Sequence, residues 1–272
     1  MGITGPPGVG KSSIISSLIG SVRALGLSVG VVSVDPSSPF TQGAVLGDRI
    51  RLAEHFLDRG VFIRSMGTRG HLGGVSEATL QASLVLAAAG KDVLFLETVG
   101  VGQSEVEIMS IADTVVLVLQ PGSGDSIQAL KAGVMEIPDI VVVNKKDHPA
   151  AMMMLNEING VFAMQDDREG WIPPVLATDA LTGEGVPELW REAADHRAYL
   201  ESNGLLEERR GEHLEQEVFS LASRQVERRL ARAARSDPRL ETLLAAVKRR
   251  ELDPLSAVRA IMTEVFGLPP EE

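Results

Sequence analysis

A glycine-rich octapeptide near the start of the sequence constrains the fold more than any other segment. Residues 5–12 read GPPGVGKS, which matches the pattern G-x-x-x-x-G-K-[ST] at every position. Such a loop joins a buried strand to a helix, and its backbone N–H groups surround a phosphate at the positive end of that helix. The octapeptide therefore predicts an α/β protein that binds a nucleotide at the carboxyl ends of its strands. The alternative, a glycine- and proline-rich turn before a helix, is disfavoured because the motif lies at the required strand-to-helix junction.

The residue types in this loop indicate which atoms they contact. Glycines let consecutive backbone N–H groups curl around a β-phosphate, Lys11 reaches the β- and γ-phosphate oxygens, and Ser12 supplies a hydroxyl to Mg²⁺. We therefore expect six consecutive residues to contact the nucleotide: Gly8, Val9, Gly10, Lys11, Ser12 and Ser13.

A second motif indicates which base the nucleotide carries. Asn144-Lys145-Lys146-Asp147 follows the apolar run Ile140–Val143, so the pattern N-K-x-D lies at the carboxyl end of a predicted strand. A carboxylate there can accept hydrogen bonds from both N1–H and the 2-amino group of guanine, whereas adenine offers no such pair of donors. The motif therefore predicts GTP and GDP as the nucleotides, with a charged surface turn as the alternative.

Two acidic residues also follow predicted strands. Asp35 comes after Val29–Val34, and Glu97 comes after Val93–Leu96. Carboxylates near a phosphate loop can hold Mg²⁺ or its waters, and the backbone N–H of Gly100 can meet a γ-phosphate. Acidic residues at strand ends are common, so either carboxylate taken alone could equally be a loop residue without a ligand.

The residue that follows Gly100 bears on the rate of hydrolysis. Many GTPases place a water-orienting glutamine directly after that glycine, whereas this chain has Val101 there and Gln103 two positions on. Because valine cannot orient a water molecule, we expect slow intrinsic hydrolysis that needs help from another component.

Short apolar runs alternate with segments of helical periodicity over residues 1–200. Runs of consecutive apolar residues are typical of strands buried on both faces, and their alternation with helices predicts a parallel sheet between two helical layers. After a very short first strand within residues 1–4, the predicted strands are Val29–Val34, Val61–Ile63, Val93–Leu96, Thr114–Leu119, Ile140–Val143 and Pro174–Leu176. The predicted helices are Ser12–Leu25, Val75–Ala89, Ile127–Met135 and Val186–Leu200.

The strand pattern stops near Leu205, and apolar residues then recur at helical spacing among glutamates and arginines. We predict a nucleotide-binding domain over residues 1–203 and a helical extension over residues 204–272, with further helices at Arg239–Arg249 and Pro254–Phe266. From the residues alone, this extension either covers the sheet or forms a dimerisation arm, since mixed charges show only that one face is solvated.

Composition disfavours several classes of function. The formal charge is −11 at pH 7, which argues against nucleic acid or an anionic membrane as a partner because both attract a basic face. Cysteine is absent, which excludes disulfides, thiolate catalysis and cysteine-ligated zinc and favours a cytoplasmic location. No apolar run approaches the roughly 20 residues that cross a bilayer. The five histidines are scattered, which disfavours a metal-inserting GTPase.

Four longer segments have unusual loop compositions, namely Val34–Arg51, Arg64–Gly74, Glu97–Glu107 and Pro121–Gly133. Together with the motifs above, they resemble the MeaB/ArgK-type GTPases, the chaperones of adenosylcobalamin-dependent methylmalonyl-CoA mutase, and the resemblance covers about residues 2–200. It implies a three-layer P-loop NTPase fold with a mostly parallel sheet, and a C-terminal helical arm that forms a homodimer. It also implies a Mg²⁺-dependent GTPase that gates delivery of adenosylcobalamin to an acyl-CoA mutase and protects or reactivates that mutase.

The resemblance assigns roles to individual residues of the phosphate and metal sites. Lys11 and Ser12 match the family's phosphate loop, and Ser12 joins the acidic residues Asp35, Asp48 and Glu97 in its magnesium site. Catalysis is then expected to be mostly electrostatic. The expected catalytic residues are Lys11, Asp48, Glu97 and Gly100.

The same resemblance implies three switch segments that respond to the nucleotide. The first lies around Asp48, the second over Glu97–Glu107 and the third over Gly122–Lys131. In the family, the mutase and the GTPase sense each other through the third switch. We therefore expect Gln103, Asp125 and Lys131 to take part in switching or in sensing the mutase.

Three residues match the guanine site of the family: Asn144, Lys145 and Asp147. The second base loop departs from the family pattern, because Ser-Ala-Leu is usual there and residues 179–181 read Asp-Ala-Leu. The amide of Ala180 can still meet the guanine carbonyl, so Ala180 and Leu181 remain expected nucleotide-binding residues. Family members also usually carry a helical segment before the phosphate loop, which is not part of this sequence.

Two other functions stay open at this point. ArgK-type relatives have also carried the label of a transport-linked ATPase or kinase for basic amino acids, which would require ATP and which the N-K-x-D motif opposes. A GTP-dependent binding module with negligible turnover would carry the same motifs. Nothing in the residues identifies which acyl-CoA mutase is the partner.

Overall fold

Seven short strands form one sheet in the computed structural model, which describes residues 1–35, 52–67, 75–98, 108, 111–123, 138–163, 170–265 and 267. The strands are β1 Gly2–Thr4, β2 Val29–Asp35, β3 Val61–Gly67, β4 Val93–Glu97, β5 Val115–Leu119, β6 Ile140–Asn144 and β7 Val175–Thr178. Their order in the sheet is β3-β2-β4-β1-β5-β6-β7, and each neighbouring pair is parallel. The predicted α/β fold with a parallel sheet is confirmed.

Several predicted features lie outside the described residues. They are Asp48, Gly100, Gln103, Asp125, Lys131 and the helix Ile127–Met135. For Asp35, the structure describes the backbone at the end of β2 but not the side chain.

Seven α-helices lie in the described part of the chain. They are α1 Lys11–Ala24, α2 Val75–Ala88, α3 Ala151–Ala163, α4 Val186–Ser202, α5 Leu205–Ser236, α6 Pro238–Lys248 and α7 Pro254–Ala260. A 3₁₀ turn spans Ala53–His55, and a π-helical segment, Ile261–Val265, follows α7. Among these described helices, none combines the length and the apolar character needed to cross a bilayer.

Strand β5 is apolar at every position because helices cover both faces of the sheet. In β5, Val116 and Val118 pack in the layer that contains α1 and α4, whereas Leu117 and Leu119 pack in the layer that contains α3. All four side chains are fully buried. Successive side chains of a strand point to opposite faces, so burial of both faces requires consecutive apolar residues.

Helix α3 is not evident in the sequence. Its buried residues Ala151, Met154 and Ile158 follow helical spacing, but Met152 and Met153 between them are 67% and 61% exposed. These exposed methionines hide the buried stripe, because an unbroken apolar run does not indicate which side of a helix faces the core.

The chain divides into two compact units, Met1–Glu215 and Gln216–Glu272, and α5 runs through both. The first unit contains the sheet and α1 to α4. The second contains the remainder of α5 together with α6 and α7.

Helices α6 and α7 of the second unit begin in the same way. Asp237 and Asp253 each precede a proline, and their carboxylates accept hydrogen bonds from the backbone N–H of Arg239 (2.9 Å) and Ser256 (3.0 Å). An aspartate cap followed by proline is a strong signal for a helix start, because the proline has no N–H that would need a partner. The predicted starts of these two helices, Arg239 and Pro254, agree with the structure within one residue.

Two ion pairs within the first unit join the start of α5 to the amino ends of central strands. Asp113, before β5, accepts hydrogen bonds from Arg210 at 2.9 and 2.8 Å, and Asp139, before β6, accepts from Arg209 at 3.2 and 3.3 Å. Burial alone would raise the pKa of Asp113, but the Arg210 guanidinium and neighbouring positive charges outweigh it and hold the pKa below its ordinary value. The first turns of α5 are thereby fixed to the edge of the sheet opposite the phosphate loop.

His196 of α4 lies in the same cluster and is buried. Its Nδ1 is hydrogen-bonded to Thr114 Oγ1 at 2.9 Å, and its Nε2 lies 3.3 Å from Asp139 Oδ1. The ring of Trp171 lies against it, with 4.9 Å between the ring centroids. Burial lowers the pKa of His196, and the nearby carboxylate of Asp139 offsets only part of that effect. The imidazole is therefore neutral at pH 7.

We predict that replacing His196 by glutamine removes part of the pH dependence of stability. The pKa of His196 in the folded state lies below the ordinary value of 6.5, which applies to the unfolded chain. At pH values between these two pKa values, the unfolded chain therefore binds more protons than the folded chain. The free energy of unfolding therefore falls as the pH drops below 6.5, by at most about 1.4 kcal/mol per pH unit from this one group. Urea unfolding of the wild type and of His196→Gln between pH 7.5 and pH 5.5 measures the difference. The exposed His148, replaced in the same way, is the control, and equal pH dependence of all three proteins would contradict the prediction.

Candidate functional site

The loop after β1 needs glycine at two positions for steric reasons. Gly5 has φ +137°, and a Cβ there would lie 2.0 Å from the carbonyl oxygen of Val118. Gly10 has φ +98°, and a Cβ there would lie 2.3 Å from Asn144 Nδ2. The loop is therefore pressed against β5 and against the end of β6, which leaves no room for side chains at these positions.

Lys11 begins α1 and is almost fully buried. Its Nζ donates hydrogen bonds to the carbonyl oxygens of Gly5 at 2.7 Å and Pro6 at 3.0 Å. The ammonium group thus lies within the concave side of the loop, among the backbone groups that would surround a phosphate. Ser13, the last residue expected to contact the nucleotide, lies in the first turn of α1 and is half-buried.

Ser12 and Glu97 meet at the carboxyl end of the sheet, although they are far apart in the sequence. The Ser12 hydroxyl donates to Glu97 Oε1 at 2.5 Å, and the hydroxyl of Ser33 on β2 donates to Glu97 Oε2 at 3.0 Å. All three side chains are buried. Beside them, the hydroxyls of Thr4 and Thr98 are hydrogen-bonded at 3.0 Å, which joins the ends of β1 and β4.

Asn144, the last residue of β6, links three segments of the site. Its Nδ2 donates to the carbonyl oxygen of Val9 in the phosphate loop at 2.8 Å. Its Oδ1 accepts hydrogen bonds from the Thr178 hydroxyl at 3.1 Å and from the Ala180 N–H at 3.0 Å. The asparagine is only 3% exposed, so these contacts are protected from water. It therefore holds the phosphate loop and both predicted base loops in one arrangement.

The rest of the N-K-x-D motif is exposed at the surface of the same edge. Lys145 has φ +61°, an uncommon conformation for a residue with a side chain, and Asp147 is exposed. Lys146 joins the two base loops, because its N–H donates to the Thr178 carbonyl at 3.0 Å and its Nζ lies 2.5 Å from Glu184 Oε1.

Asp179, where the resemblance leads one to expect serine, organises the turn of the second base loop. Its carboxylate accepts hydrogen bonds from the Leu181 N–H at 3.0 Å and from the Thr182 hydroxyl at 2.9 Å, which hold the pKa of Asp179 below its ordinary value. Ser17 of α1 donates to the carbonyl oxygen of Ala180 at 3.0 Å. The side chain of Leu181 is 90% exposed. The turn is therefore held by its own aspartate and by α1.

Several contributors to this site were not predicted from the sequence, and two of them contact predicted site residues directly through buried hydroxyls. Thr178 accompanies Asn144, and Ser33 accompanies Glu97. Ser33 carried a detectable signal, since it is the one hydroxyl residue within the valine-rich strand β2. Nothing in the sequence marks Thr178, because a threonine at the end of a strand is common.

The donor groups suit a nucleotide with a magnesium ion. The loop offers backbone N–H groups and the Lys11 ammonium to phosphate oxygens, whereas Ser12 and Glu97 offer the oxygen ligands that Mg²⁺ prefers. Within the described part of the chain, no three histidine, aspartate or glutamate side chains converge in a cluster that could hold a metal ion by itself. The chemistry of the site therefore fits a metal that is bound together with phosphate.

Comparison with known proteins identifies the relatives of this chain. The family model described as "Methylmalonyl Co-A mutase-associated GTPase MeaB" matches residues 1–235. A Pyrococcus abyssi protein whose name assigns it to the GTPases is 47% identical over 270 residues, which cover 98% of this chain and 83% of that protein. The protein named GTPase ArgK of Escherichia coli is 34% identical over 266 residues, which cover 96% of this chain and 80% of that protein.

A solved structure supports the same assignment. The crystal structure of a LAO/AO transport system kinase is 27% identical and superposes with a TM-score of 0.71 over 97% of this chain and 80% of that protein. At this TM-score the two chains share a fold.

We predict that Asn144→Ala loosens the site and destabilises the first unit. The substitution leaves the Val9 carbonyl and the Ala180 N–H without their side-chain partner in a buried position, which costs about 1–3 kcal/mol. Nucleotide affinity should fall as well, because the phosphate loop and the base loops lose their common anchor. Urea unfolding and titration with GDP measure the two effects. The control is Asn203→Ala at an exposed helix end, and equal behaviour of the two variants would contradict the role given to Asn144.

Proposed function

The chain belongs to the family of the methylmalonyl-CoA mutase-associated GTPase MeaB, and from this membership we propose a function for it. It is a GTPase, and we propose that its turnover depends on Mg²⁺ and gates the delivery of adenosylcobalamin to an acyl-CoA mutase. In this proposal the protein also protects or reactivates the mutase. The observation that carries the proposal is the buried Asn144, which holds a phosphate loop and two base loops together.

Each residue of the site has a separate role in GTP hydrolysis. A water oxygen attacks the γ-phosphorus, and the bond from that phosphorus to the bridging oxygen breaks, which yields GDP and phosphate. Lys11 stabilises the negative charge that develops on the phosphate oxygens. Bound Mg²⁺ would supply further positive charge to the phosphates, and Ser12 and Glu97 are the described residues that would hold it or its waters. Asp35, Asp48 and Gly100 complete the proposed site.

Guanine is selected in this proposal by the base loops. Asp147 accepts hydrogen bonds from N1–H and the 2-amino group, while Lys145 and Leu181 lie beside the base. The Ala180 N–H already donates to Asn144 Oδ1, so contact with the guanine carbonyl would have to share that donor.

The partner regulates turnover in this proposal. Val101 does not orient water, so the free protein hydrolyses GTP slowly, and the mutase accelerates the reaction by ordering the segments around the γ-phosphate. Gln103, Asp125 and Lys131 are the residues through which we expect the mutase to be sensed.

We also propose that the protein is a cytoplasmic homodimer. The support for dimerisation is the exposed apolar side of α5, where Leu214, Val218, Phe219 and Val226 are between 50% and 65% exposed. Apolar groups that recur along one side of a helix are typically covered by another chain. The extension over residues 204–272 would then be the dimerisation arm. The cytoplasmic location is supported by the absence of cysteine from the sequence.

An ATP-dependent function is the second candidate. It is favoured by the similarity to a LAO/AO transport system kinase, and it is opposed by the N-K-x-D motif. Measurement of turnover with GTP and with ATP separates the two candidates, and Lys11→Ala serves as the inactive reference because it removes the charge that faces the phosphates. Turnover of ATP in preference to GTP would overturn the proposal. A negligible rate of GTP hydrolysis, even in the presence of the mutase, would indicate a GTP-dependent binding module instead of an enzyme.

We predict that Asp147→Asn changes the preferred base. An amide at this position cannot accept both guanine donors but can donate to the 2-oxo group of xanthine. Loss of a hydrogen bond to a charged group corresponds to about 10–100-fold in affinity, so GTP binding should weaken by that factor while xanthosine triphosphate binding improves. Competition titrations with GTP, ATP and xanthosine triphosphate measure the change. An unaltered preference for GTP in the variant would remove Asp147 from the site.

We predict that Lys131→Ala uncouples the GTPase from its partner. The variant should keep its basal turnover and nucleotide affinity but lose the acceleration by the mutase, because Lys131 acts on the partner and not on the phosphates. Single-turnover hydrolysis of GTP with and without the mutase provides the measurement. Lys91→Ala is the matched control, since Lys91 lies in the turn after α2 and donates to the Gly60 carbonyl at 3.0 Å. Equal acceleration of both variants would refute the role of Lys131.

A further inference from the structure

Strand β2 carries one hydroxyl side chain at a position where the strand pattern predicts an apolar residue. The strand reads VGVVSVD, and Ser33 within it is only 4% exposed. A hydroxyl buried without a hydrogen-bond partner is costly, so the position has to supply one. The partner is Glu97 Oε2, at 3.0 Å.

The sheet register places Ser33 on the side of the sheet where α1 begins. Ser33 is paired with Glu97 in the parallel register of β2 and β4. Two residues earlier on the same face, Val31 and Phe95 are buried in the cluster that includes α1. The face is therefore apolar beneath α1 and becomes polar at the carboxyl edge, next to the first turn of that helix.

The carboxylate of Glu97 consequently receives a hydroxyl on each of its oxygens. Ser12 donates to Oε1 at 2.5 Å from the helix side, and Ser33 donates to Oε2 at 3.0 Å from the neighbouring strand. A carboxylate held at both oxygens has a defined plane. A carboxylate held at one oxygen can rotate about its last side-chain bond, because that torsion is broad.

We propose that Ser33 is a positioning residue for the magnesium site, and that it acts by fixing the carboxylate plane of Glu97. This inference rests on the Mg²⁺ dependence proposed above. With Ser33 in place, the Ser12 hydroxyl donates its proton to Glu97, and a hydroxyl that donates its proton can also bind a metal ion through its oxygen. Partners that orient metal ligands typically contribute 10–100-fold to metal affinity.

The test measures Mg²⁺ binding directly. Isothermal titration of Mg²⁺ into the GDP-loaded protein should give an affinity about 10–100-fold lower for Ser33→Ala than for the wild type. The affinity for GDP measured in the presence of a chelator should stay unchanged, because the Ser33 hydroxyl bonds to Glu97 and would act only through the metal. A purely structural serine would instead lower the unfolding midpoint and leave Mg²⁺ affinity unaltered.

Two further comparisons isolate the hydroxyl group. Ser33→Thr and Ser33→Val introduce side chains of the same shape that differ in the hydroxyl, so the threonine variant should bind Mg²⁺ at least about tenfold more tightly than the valine variant. This pair decides the question even if Ser33→Ala does not fold. Ser83→Ala is the matched control, since Ser83 is also buried and donates to the Thr79 carbonyl within α2 at 2.8 Å.

Ser12→Ala and Glu97→Gln separate this inference from the proposed function. If these two variants lose Mg²⁺ affinity and both Ser33→Ala and Ser33→Val retain it, the positioning role of Ser33 is wrong and the magnesium site stands. If Ser12→Ala and Glu97→Gln also retain Mg²⁺ affinity, the proposed magnesium site itself is wrong.

Discussion

The buried side chain of Asn144 is the contact on which the rest of the site depends. Its amide nitrogen donates to Val9, 135 positions earlier in the chain, and its oxygen accepts from the backbone of Ala180, 36 positions later. An amide is one of the few groups that can donate and accept at once in a position that excludes water. The segments that would hold the phosphates and the base are therefore fixed relative to each other by contacts within the chain itself, which reduces the ordering that binding requires.

The opposite edge of the sheet fixes the long helix α5. Asp113 lies just before β5 and pairs with Arg210 of α5. Asp139 lies just before β6 and pairs with Arg209 of the same helix. Strand β6 therefore has the anchored Asp139 at one end and Asn144 at the other. One short, fully buried strand joins the nucleotide site to the start of the helix that continues into the second unit. The first turns of that helix and the base loops are thus placed by the same strand.

The strands were predictable because their physical signal is local. β5 and β6 are runs of consecutive apolar residues, and only burial on both faces explains such runs. Helix α3 was not predictable in the same way, because Met152 and Met153 are exposed and the run that contains them has no polar side. The periodicity that identifies a helix exists only when its solvent-facing residues are polar.

The sequence by itself determined the chemistry of the site: the phosphate loop with its lysine and serine, and the motif whose aspartate is proposed to distinguish guanine from adenine. Each of these is a run of adjacent residues, so its geometry depends on local backbone conformation. Only the tertiary structure decided which distant side chains support them. Ser33 meets Glu97 because β2 and β4 are neighbours in register, although 64 positions separate them. Strand order results from packing the whole sheet between two helical layers, and no local pattern of residues encodes it.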